Sequence, residues 1–312
     1  MAIRSLIYKL IFVLIPVVIL AASFELVARR IPTSYAIKHI NLMRKKDNIN
    51  VLVMGSSHAN FGINPQYMGA NAYNLSNTSQ DLYYDFNLLK KYLQSCPNIK
   101  TVILPISYFT LSSCSLNESV ESWRCDFYST ILHIPKPLVY DASMLDLKRF
   151  SYLALMDGPM KIIGELRKNA TLDINEFGYQ KSSKPQNIGD IVSDENGKIR
   201  VKFHHSMMDK KHIRANVELI GQIATLLKGK GIKLVFITTP VYETYYKNVL
   251  PGNYREMMTN INNLCARYHA DYFNHFSDSR FQKEDFMDND HLNEDGAKKL
   301  SLILKNEIIN KL

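Results

Sequence analysis

Short apolar runs alternate with amphipathic stretches along most of this chain. Five runs rich in Val, Ile and Leu or aromatic residues predict β-strands: residues 51–54, 72–75, 101–106, 233–238 and 271–273. Helical spacing of apolar side chains predicts amphipathic helices at residues 81–93, 213–227, 254–269 and 294–309. Strands that alternate with such helices favour a parallel sheet covered on both faces. We therefore predict an α/β fold with a flavodoxin-like, doubly wound parallel sheet.

The alternation is interrupted between about residues 107 and 211. This stretch contains Pro135 and Pro137, and residues 180–198 are rich in Ser, Lys, Asn and Gly. It is too long for a simple loop in a compact domain. We predict an insertion or cap that contains helices at residues 144–155 and 161–168.

The N-terminus carries the longest apolar stretch, LIFVLIPVVILAA at residues 10–22. With its flanks it approaches the roughly 20 residues that span a bilayer. Its length favours an uncleaved signal anchor over a signal peptide cleaved near Ala21, and the preceding Arg4 and Lys9 argue against a buried helix. We predict a membrane anchor at residues 1–28, a basic linker at 29–48 and a main domain at 49–312 that includes the insertion at about 107–211.

Composition narrows the class of protein. The 312 residues are 46% hydrophobic and 21% charged, which excludes a disordered or collagen-like chain. The net charge of +9 is spread out, and its densest run is residues 44–46, without the aromatic interleaving of single-strand binders. We therefore expect no nucleic-acid partner. Cys114 and Cys125 could pair in an oxidising compartment, and isolated thiols are the equal alternative.

The first candidate catalytic segment, MGSSHAN at residues 54–60, directly follows the first predicted strand. Gly55 allows a sharp turn that presents a serine at the carboxyl edge of the sheet, where doubly wound domains place their sites. A serine hydroxyl is a weak nucleophile. It needs an imidazole to accept its proton and backbone N–H groups to hold the developing oxyanion.

The second candidate segment, MDNDHLN at residues 287–293, precedes the last predicted helix. Asp288 and His291 are three residues apart, so one turn brings both side chains to the same side. The carboxylate can bind one ring nitrogen and leave the other free to face a serine. Asp290 is adjacent to His291 and is expected to point elsewhere. Asn293 is the predicted N-cap of the helix.

Each segment also has a structural interpretation, because Gly-Ser-Ser is common in turns and Asp-Asn-Asp is common at helix starts. Together, at strand and helix ends of one doubly wound pattern, they favour an active site. His58 is expected either to face the substrate or to cap the turn. Tyr242, after the fourth strand, could contact a sugar, although packing is the stronger interpretation.

Metal and cofactor sites are not predicted. The cysteines lack the spacing of metal ligands, and the adjacent His204 and His205 have poor chelating geometry.

Residues 55–59 (GSSHA) and the D-x-x-H-L-N-x-x-G-A pattern of residues 288–297 resemble the first and last sequence blocks of the SGNH/GDSL hydrolase superfamily. The resemblance covers residues 49–312 apart from the insertion, and the last block is its more specific half. It implies that Ser57 is the nucleophile, His291 the general base and Asp288 its partner. The serine elbow of α/β-hydrolases is the nearest competitor. A serine after the first strand and an Asp and His in one loop favour the SGNH arrangement.

The middle blocks depart from the family pattern. Ser79 stands where the second block supplies a glycine N–H to the oxyanion hole, and a serine still offers its backbone N–H. The third block's asparagine is absent, so either Ser107 substitutes for it or that donor is missing. A missing donor costs about 3 kcal/mol of transition-state stabilisation.

The N-terminal anchor, GSSHA and the late Asp-x-x-His also resemble membrane-anchored branches of this superfamily, including the teichoic-acid D-alanine transfer protein and alginate O-acetylation proteins. This resemblance implies an acyl transferase or esterase acting on a cell-envelope polysaccharide, single-pass in the cytoplasmic membrane with its domain outside. The implied partners are an acylated polysaccharide or acyl donor and a membrane-bound O-acyltransferase. The alternative is a catalytically weak or inactive domain that binds the polymer or that acyltransferase.

Overall fold

The computed structural model describes residues 2–69, 71–137, 147–149, 151–168, 172–182, 185 and 187–311. The chain divides into two compact units. One comprises Met1–Ala36 and Trp123–Leu172, and the other comprises Ile37–Ser122 and Asp173–Leu312.

The second unit contains a five-stranded parallel sheet with the order β2-β1-β3-β4-β5. Its strands are β1 (Val51–Val53), β2 (Ala72–Asn74), β3 (Thr101–Pro105), β4 (Lys233–Thr238) and β5 (Asp271–Asn274). In register, Val53 lies opposite Asn74 on one side and Ile103 on the other. This is the flavodoxin-like, doubly wound order, so the predicted fold class is confirmed.

The α-helices of the described residues are α1 (Ala2–Ala28), α2 (Ser34–Lys45), α3 (Ser57–Gly62), α4 (Leu82–Tyr92), α5 (Arg124–Leu132), α6 (Tyr152–Leu155), α7 (Pro159–Lys168), α8 (Ile188–Ile191), α9 (Asp194–Ser206), α10 (Lys211–Lys228), α11 (Glu243–Tyr246), α12 (Pro251–Tyr268) and α13 (Glu294–Glu307). Short 3₁₀ turns lie at Pro65–Tyr67, Leu116–Glu118, Leu147–Arg149, Lys283–Asp285 and Ile309–Lys311.

The core of the second unit explains the apolar runs in the sequence. Every residue of β1, β2 and β3 is buried, as expected for parallel strands covered on both faces. Val51 and Ile103 from the sheet share one core cluster with Leu300 and Leu304 of α13. This packing fixes α13 on the sheet.

Two predictions about the segments around the sheet differ from the structure. The predicted linker at 29–48 contains helix α2, whose Lys38 and Leu42 are fully buried. The predicted insertion at 107–211 is divided between the two units, since residues 173–211 belong with the sheet. Within the stretch at 180–198 that is rich in Ser, Lys, Asn and Gly, helix α9 begins at Asp194. Ser193 accepts a hydrogen bond from Asn196 N–H there, and acidic residues in the first turn favour the helix start.

The predicted helix at 144–155 falls partly outside the described residues, and its described end contains α6. The helix predicted at 161–168 lies within α7. The four cysteines are free thiols.

The first unit contains α1, which is long and apolar enough to cross a membrane over Ile3–Ala28. Its side chains are exposed over most of this length, so it is not a buried core helix. At its end, Ala28 and Ile31 pack with Ile162 of α7. Glu25 accepts hydrogen bonds from the N–H groups of Tyr152 and Leu153 at the start of α6. The helix end is therefore tied to the small helical layer of its own unit.

Candidate active site

The chain turns sharply between β1 and α3 and presents Ser57 as the first residue of the helix. Gly55 makes this turn with a φ of +103°, a conformation that L-residues with side chains rarely adopt. A Cβ at this position would also lie 3.1 Å from Pro105 Cδ. The strand–turn–helix therefore depends on glycine at position 55.

His291 and Asp288 lie on the turn before α13. Ser57 Oγ is 2.8 Å from His291 Nε2, and Asp288 Oδ2 is 2.9 Å from His291 Nδ1. The structure thus brings the three sequence-predicted residues, from two distant segments, into one continuous chain of hydrogen bonds.

The local fold of this turn fixes the Asp288 carboxylate. Its Oδ1 accepts hydrogen bonds from the backbone N–H groups of Asp290 at 3.0 Å and of His291 at 2.8 Å. Asn293 caps α13, as predicted, by accepting hydrogen bonds from the N–H groups of Asp295 and Gly296. Gly296 allows close packing of the turn, because a Cβ there would lie 2.1 Å from the Asp285 carbonyl oxygen.

His291 is buried and its environment favours the protonated imidazole. Burial opposes the charge, but the negative charges of Asp290 and Asp288 outweigh it and raise the pKa of His291 above its usual 6.5. A raised pKa makes the imidazole a stronger acceptor for a serine proton.

Ser57 and His291 open onto a cavity of about 280 Å³. Aromatic and aliphatic side chains form much of its wall, including Phe61, Phe109 and Phe203. The polar part includes Ser79 and Arg200. A largely apolar cleft with a few convergent polar groups is typical of a small-molecule or acyl-group site.

Ser79 lies on the loop that follows β2 and has a φ of +58°. The loop turns through a hydrogen bond from Gln80 N–H to the Asn77 carbonyl. The Ser79 hydroxyl donates a hydrogen bond to Glu121. Its left-handed conformation is one that glycine adopts without strain, which matches the position where the family pattern has glycine.

Ser107 is engaged elsewhere in the structure. Its backbone N–H donates to Thr110 Oγ1 at 2.9 Å, and its hydroxyl lies 2.7 Å from His58 Nδ1. The described residues that line the cavity do not include Ser107. Of the two alternatives for the absent asparagine, this arrangement favours a missing donor over a substitution by Ser107.

His58 neither faces the cavity nor caps the turn, which corrects both interpretations. It is buried, and its Nε2 lies 3.0 Å from Asp290 Oδ2. Tyr242 packs against Phe286 with ring centroids 5.5 Å apart, so the structure places it in the core layer, away from the described cavity lining.

Sequence reasoning missed Arg200, and it weighed Asp290 and His204 without giving either a place in the site. Asp288 rather than Asp290 hydrogen-bonds to His291, and Asp290 is fully buried. Its Oδ1 accepts a hydrogen bond from Arg200 Nε at 2.7 Å. His204 lines the cavity, stacks on Phe109 at a centroid distance of 4.1 Å and hydrogen-bonds to Tyr245. Arg200 and His204 are four residues apart on α9. This spacing is informative only once the segment is known to be helical.

His58, Asp290 and His291 each offer one ligand atom, and these atoms lie within 4.8 Å of one another. A cation there would compete with the Arg200 guanidinium for the single buried carboxylate. In this arrangement both oxygens of the Asp290 carboxylate are already engaged, Oδ2 by His58 and Oδ1 by Arg200.

Asp85 is a further carboxyl group of the cavity. Its Oδ1 accepts hydrogen bonds from Gly55 N–H at 2.9 Å and Gln80 Nε2 at 2.7 Å. Burial raises the pKa of Asp85 to about 7, although these two bonds oppose the shift. Through its hydrogen bond with Gly55 N–H, the Asp85 carboxyl group holds the turn before Ser57.

No protein-family model matches the chain, and no curated protein matches it. Among solved structures, it is similar to a GDSL-like lipase from Bacteroides thetaiotaomicron, with 8% identity, a TM-score of 0.41, and coverage of 90% of this chain and 100% of that one. It is also similar to a carbohydrate acetylesterase family member from Sinorhizobium meliloti, with 8% identity, a TM-score of 0.37, and coverage of 83% and 97%. These similarities are too distant to indicate a shared function.

Proposed function

We propose that this chain is an SGNH-type serine esterase or O-acyltransferase that works through an acyl-enzyme. The observation that carries the proposal is the hydrogen-bonded sequence Ser57 Oγ, His291 and Asp288, which opens onto the cavity. A nucleophile within reach of a base, and a base oriented by a carboxylate, together form the arrangement that activates a serine.

In the first half-reaction, Ser57 Oγ attacks the acyl carbonyl carbon while its proton passes to His291 Nε2. Asp288 pairs with the Nδ1–H of the resulting imidazolium. The N–H groups of Ser57 and Ser79 are the proposed donors to the oxyanion. The tetrahedral intermediate collapses as His291 returns the proton to the departing alkoxide, which leaves the acyl group on Ser57.

In the second half-reaction, a hydroxyl group attacks the acyl-enzyme and gives its proton to His291. Water as the attacking group releases a carboxylic acid, and a sugar hydroxyl yields a new ester. In either case His291 then protonates Ser57 Oγ as the acyl–oxygen bond breaks, so the enzyme returns to its starting state.

We further propose that α1 anchors the chain in the cytoplasmic membrane, with the sheet domain outside the cytoplasm and a cell-envelope polysaccharide as the acylated substrate. The length and apolar character of α1 support the anchor. The resemblance of residues 55–59 and 288–297 to membrane-anchored SGNH proteins supports the polymer and the side of the membrane. A membrane-bound O-acyltransferase as a partner belongs to the same proposal.

A second candidate is a weakly catalytic or inactive domain that binds the polymer or an acyltransferase partner. One observation favours it. Both hydrogen-bonding groups of Ser107 are committed to Thr110 and His58, so this residue does not stand free as an oxyanion donor.

Labelling with a fluorophosphonate probe distinguishes the two candidates. The full-length protein in detergent should be labelled, and mass spectrometry should locate the adduct on Ser57. The S57A variant should lose the label, whereas the S56A variant should still carry it on Ser57. A folded wild-type protein that stays unlabelled would refute the esterase or transferase and favour the binding domain.

The substrate requires a separate measurement in cells. The acyl content of extracted envelope polysaccharide should differ between cells that carry the wild-type protein and cells that carry S57A. Equal acyl content, with both proteins present at equal levels, would contradict a polysaccharide substrate even if the probe labels Ser57.

A further inference from the structure

A second carboxylate, Asp290, lies beside the proposed general base. Its side chain is fully buried. Oδ2 is 3.0 Å from His58 Nε2, Oδ1 is 2.7 Å from Arg200 Nε, and Oδ1 is 3.6 Å from His291 Nδ1. The proposed mechanism uses Asp288 and leaves Asp290 without a role.

Asp290 joins three elements of the site. His58 is the second residue of α3, directly after Ser57, and Arg200 lies on α9. The carboxylate thus ties the helix that carries the nucleophile to the turn that carries the base. The titratable and charged groups that face this pair, from all the elements packed around it, are His58, Tyr108, Arg200, His204, Tyr245 and Asp288.

The hydrogen bonds also define the proton positions. Burial alone would raise the pKa of Asp290, but His291, His58 and Arg200 hold it well below its usual range. The ionised carboxylate accepts the Nε2–H of His58. Burial lowers the pKa of His58 and so favours its neutral form. In that form Nδ1 is an acceptor, the Ser107 hydroxyl donates to it, and the ring is held between Asp290 and Ser107.

The charge balance explains what this network can do for His291. With neutral histidines, the carboxylates of Asp288 and Asp290 and the Arg200 guanidinium leave one net negative charge around His291. When His291 accepts the proton of Ser57, the ring becomes positive beside this excess negative charge, and the negative charge of the serine passes to the oxyanion. The carboxylates therefore stabilise the imidazolium at the moment at which the oxyanion forms.

We propose that Asp290 is a positioning residue of the proposed acyl-transfer site, held by Arg200 and His58, which orients His291 together with Asp288 and stabilises its protonated form. This inference rests on the proposed function of Ser57 and His291. It assigns to Asp290 an electrostatic effect that a purely structural carboxylate would not have.

The test compares the pH dependence of fluorophosphonate labelling in the wild type, D290N and R200Q. Removal of a negative charge 3.6 Å from the ring should lower the pH midpoint by about one unit and slow labelling at pH 8 by up to about tenfold. Removal of the Arg200 guanidinium, which opposes the charged imidazole, should move the midpoint upward. Shifts of the pH midpoint in opposite directions would show that Asp290 and Arg200 act on His291 through their charges.

The matched control is D285N, the same substitution at a buried carboxylate of the turn before α13. Asp285 pairs with Lys299 and accepts the Gln282 N–H, away from Ser57 and His291. Its variant should keep the wild-type midpoint even where its thermal stability falls.

Unchanged midpoints in both variants, or displacements in the same direction, would overturn the role of Asp290. If D290N does not fold, R200Q decides alone, since Arg200 is one-third exposed and an unchanged or lowered midpoint contradicts the proposal. A wild-type protein without Ser57-dependent labelling refutes the proposed function itself. Failure of the inference alone would leave that labelling intact.

Discussion

Replacement of Asp288 by asparagine tests how the base is oriented. Oδ1 of Asp288 accepts two backbone N–H groups, those of Asp290 and His291, whereas Oδ2 faces His291 Nδ1. In D288N, the amide oxygen has to take the position of Oδ1, because an NH₂ group there would oppose two donors. The NH₂ group then faces Nδ1 and donates to it. The ring has to carry its proton on Nε2, and it can no longer accept the proton of Ser57.

The expected loss of labelling rate in D288N follows from the cost of the reversed orientation of the asparagine amide. Turning the amide round would leave two buried N–H groups unsatisfied, at a cost of about 1–3 kcal/mol each. The change of tautomer is therefore the easier adjustment, and it removes the base. The same exchange in a serine protease triad lowers kcat about 10⁴-fold. For D288N we expect a loss of roughly 10³- to 10⁴-fold in labelling rate, equivalent to about 4–5.5 kcal/mol.

The assay is the second-order rate constant of fluorophosphonate labelling at pH 8, with S57A as the floor and D285N as the matched control. A thermal melt of each variant shows whether the fold is intact. A D288N rate within tenfold of the wild type would refute the tautomer argument. It would mean that Asp290, 3.6 Å from Nδ1, orients the ring without Asp288.

Three further outcomes are expected. Because burial of His291 is outweighed by Asp290 and Asp288, which raise its pKa, labelling should increase with pH with a midpoint above 6.5, and a midpoint at or below 6.5 would contradict this. Burial raises the pKa of Asp85 from 3.8 to about 7. The folded state therefore loses stability as the pH rises from 3.8 to about 7, because the buried carboxyl group resists ionisation. Urea unfolding should show D85N, which cannot ionise, gaining up to about 4 kcal/mol relative to the wild type over this range. A difference that does not depend on pH would contradict this. The variants S79G and S79A both lose the hydroxyl and differ only in how easily they adopt the left-handed backbone at position 79. S79G should therefore be more stable than S79A by about 1 kcal/mol in urea unfolding, and equal stability would contradict the left-handed conformation.

Much of the fold could be predicted because its determinants are local. Strands buried on both faces give continuous apolar runs such as residues 101–105, and these runs alternate with amphipathic helices. The spacing of Asp288 and His291 is also local, since one turn brings the pair together. Sequence order and the rule that parallel strands end at one edge then place Ser57 near them.

The rest of the site depends on contacts between distant segments. Arg200 lies 90 residues before Asp290 in the sequence, on a helix that the pattern of apolar residues did not predict. Gly197 illustrates the reason. A Cβ there would lie 2.1 Å from the Thr244 carbonyl oxygen, so a residue that lowers helix propensity is needed for α9 to pack closely on α11. The helix that carries Arg200 therefore depends on tertiary packing more than on local propensity.

The two imidazoles beside Ser57 show how the environment assigns different tasks to one residue type. Their ring centroids are 5.0 Å apart. Burial lowers the pKa of His58, with the charges of His291 and Arg200 adding to the effect, although Asp290 opposes it. The pKa of His291 is raised, because two carboxylates outweigh its burial. Groups whose pKa values are pushed apart in this way take different roles in proton transfer. The direction of these shifts favours His291 as the base and a neutral His58 as the link between Asp290 and Ser107, and proximity to Ser57 alone would not have separated them.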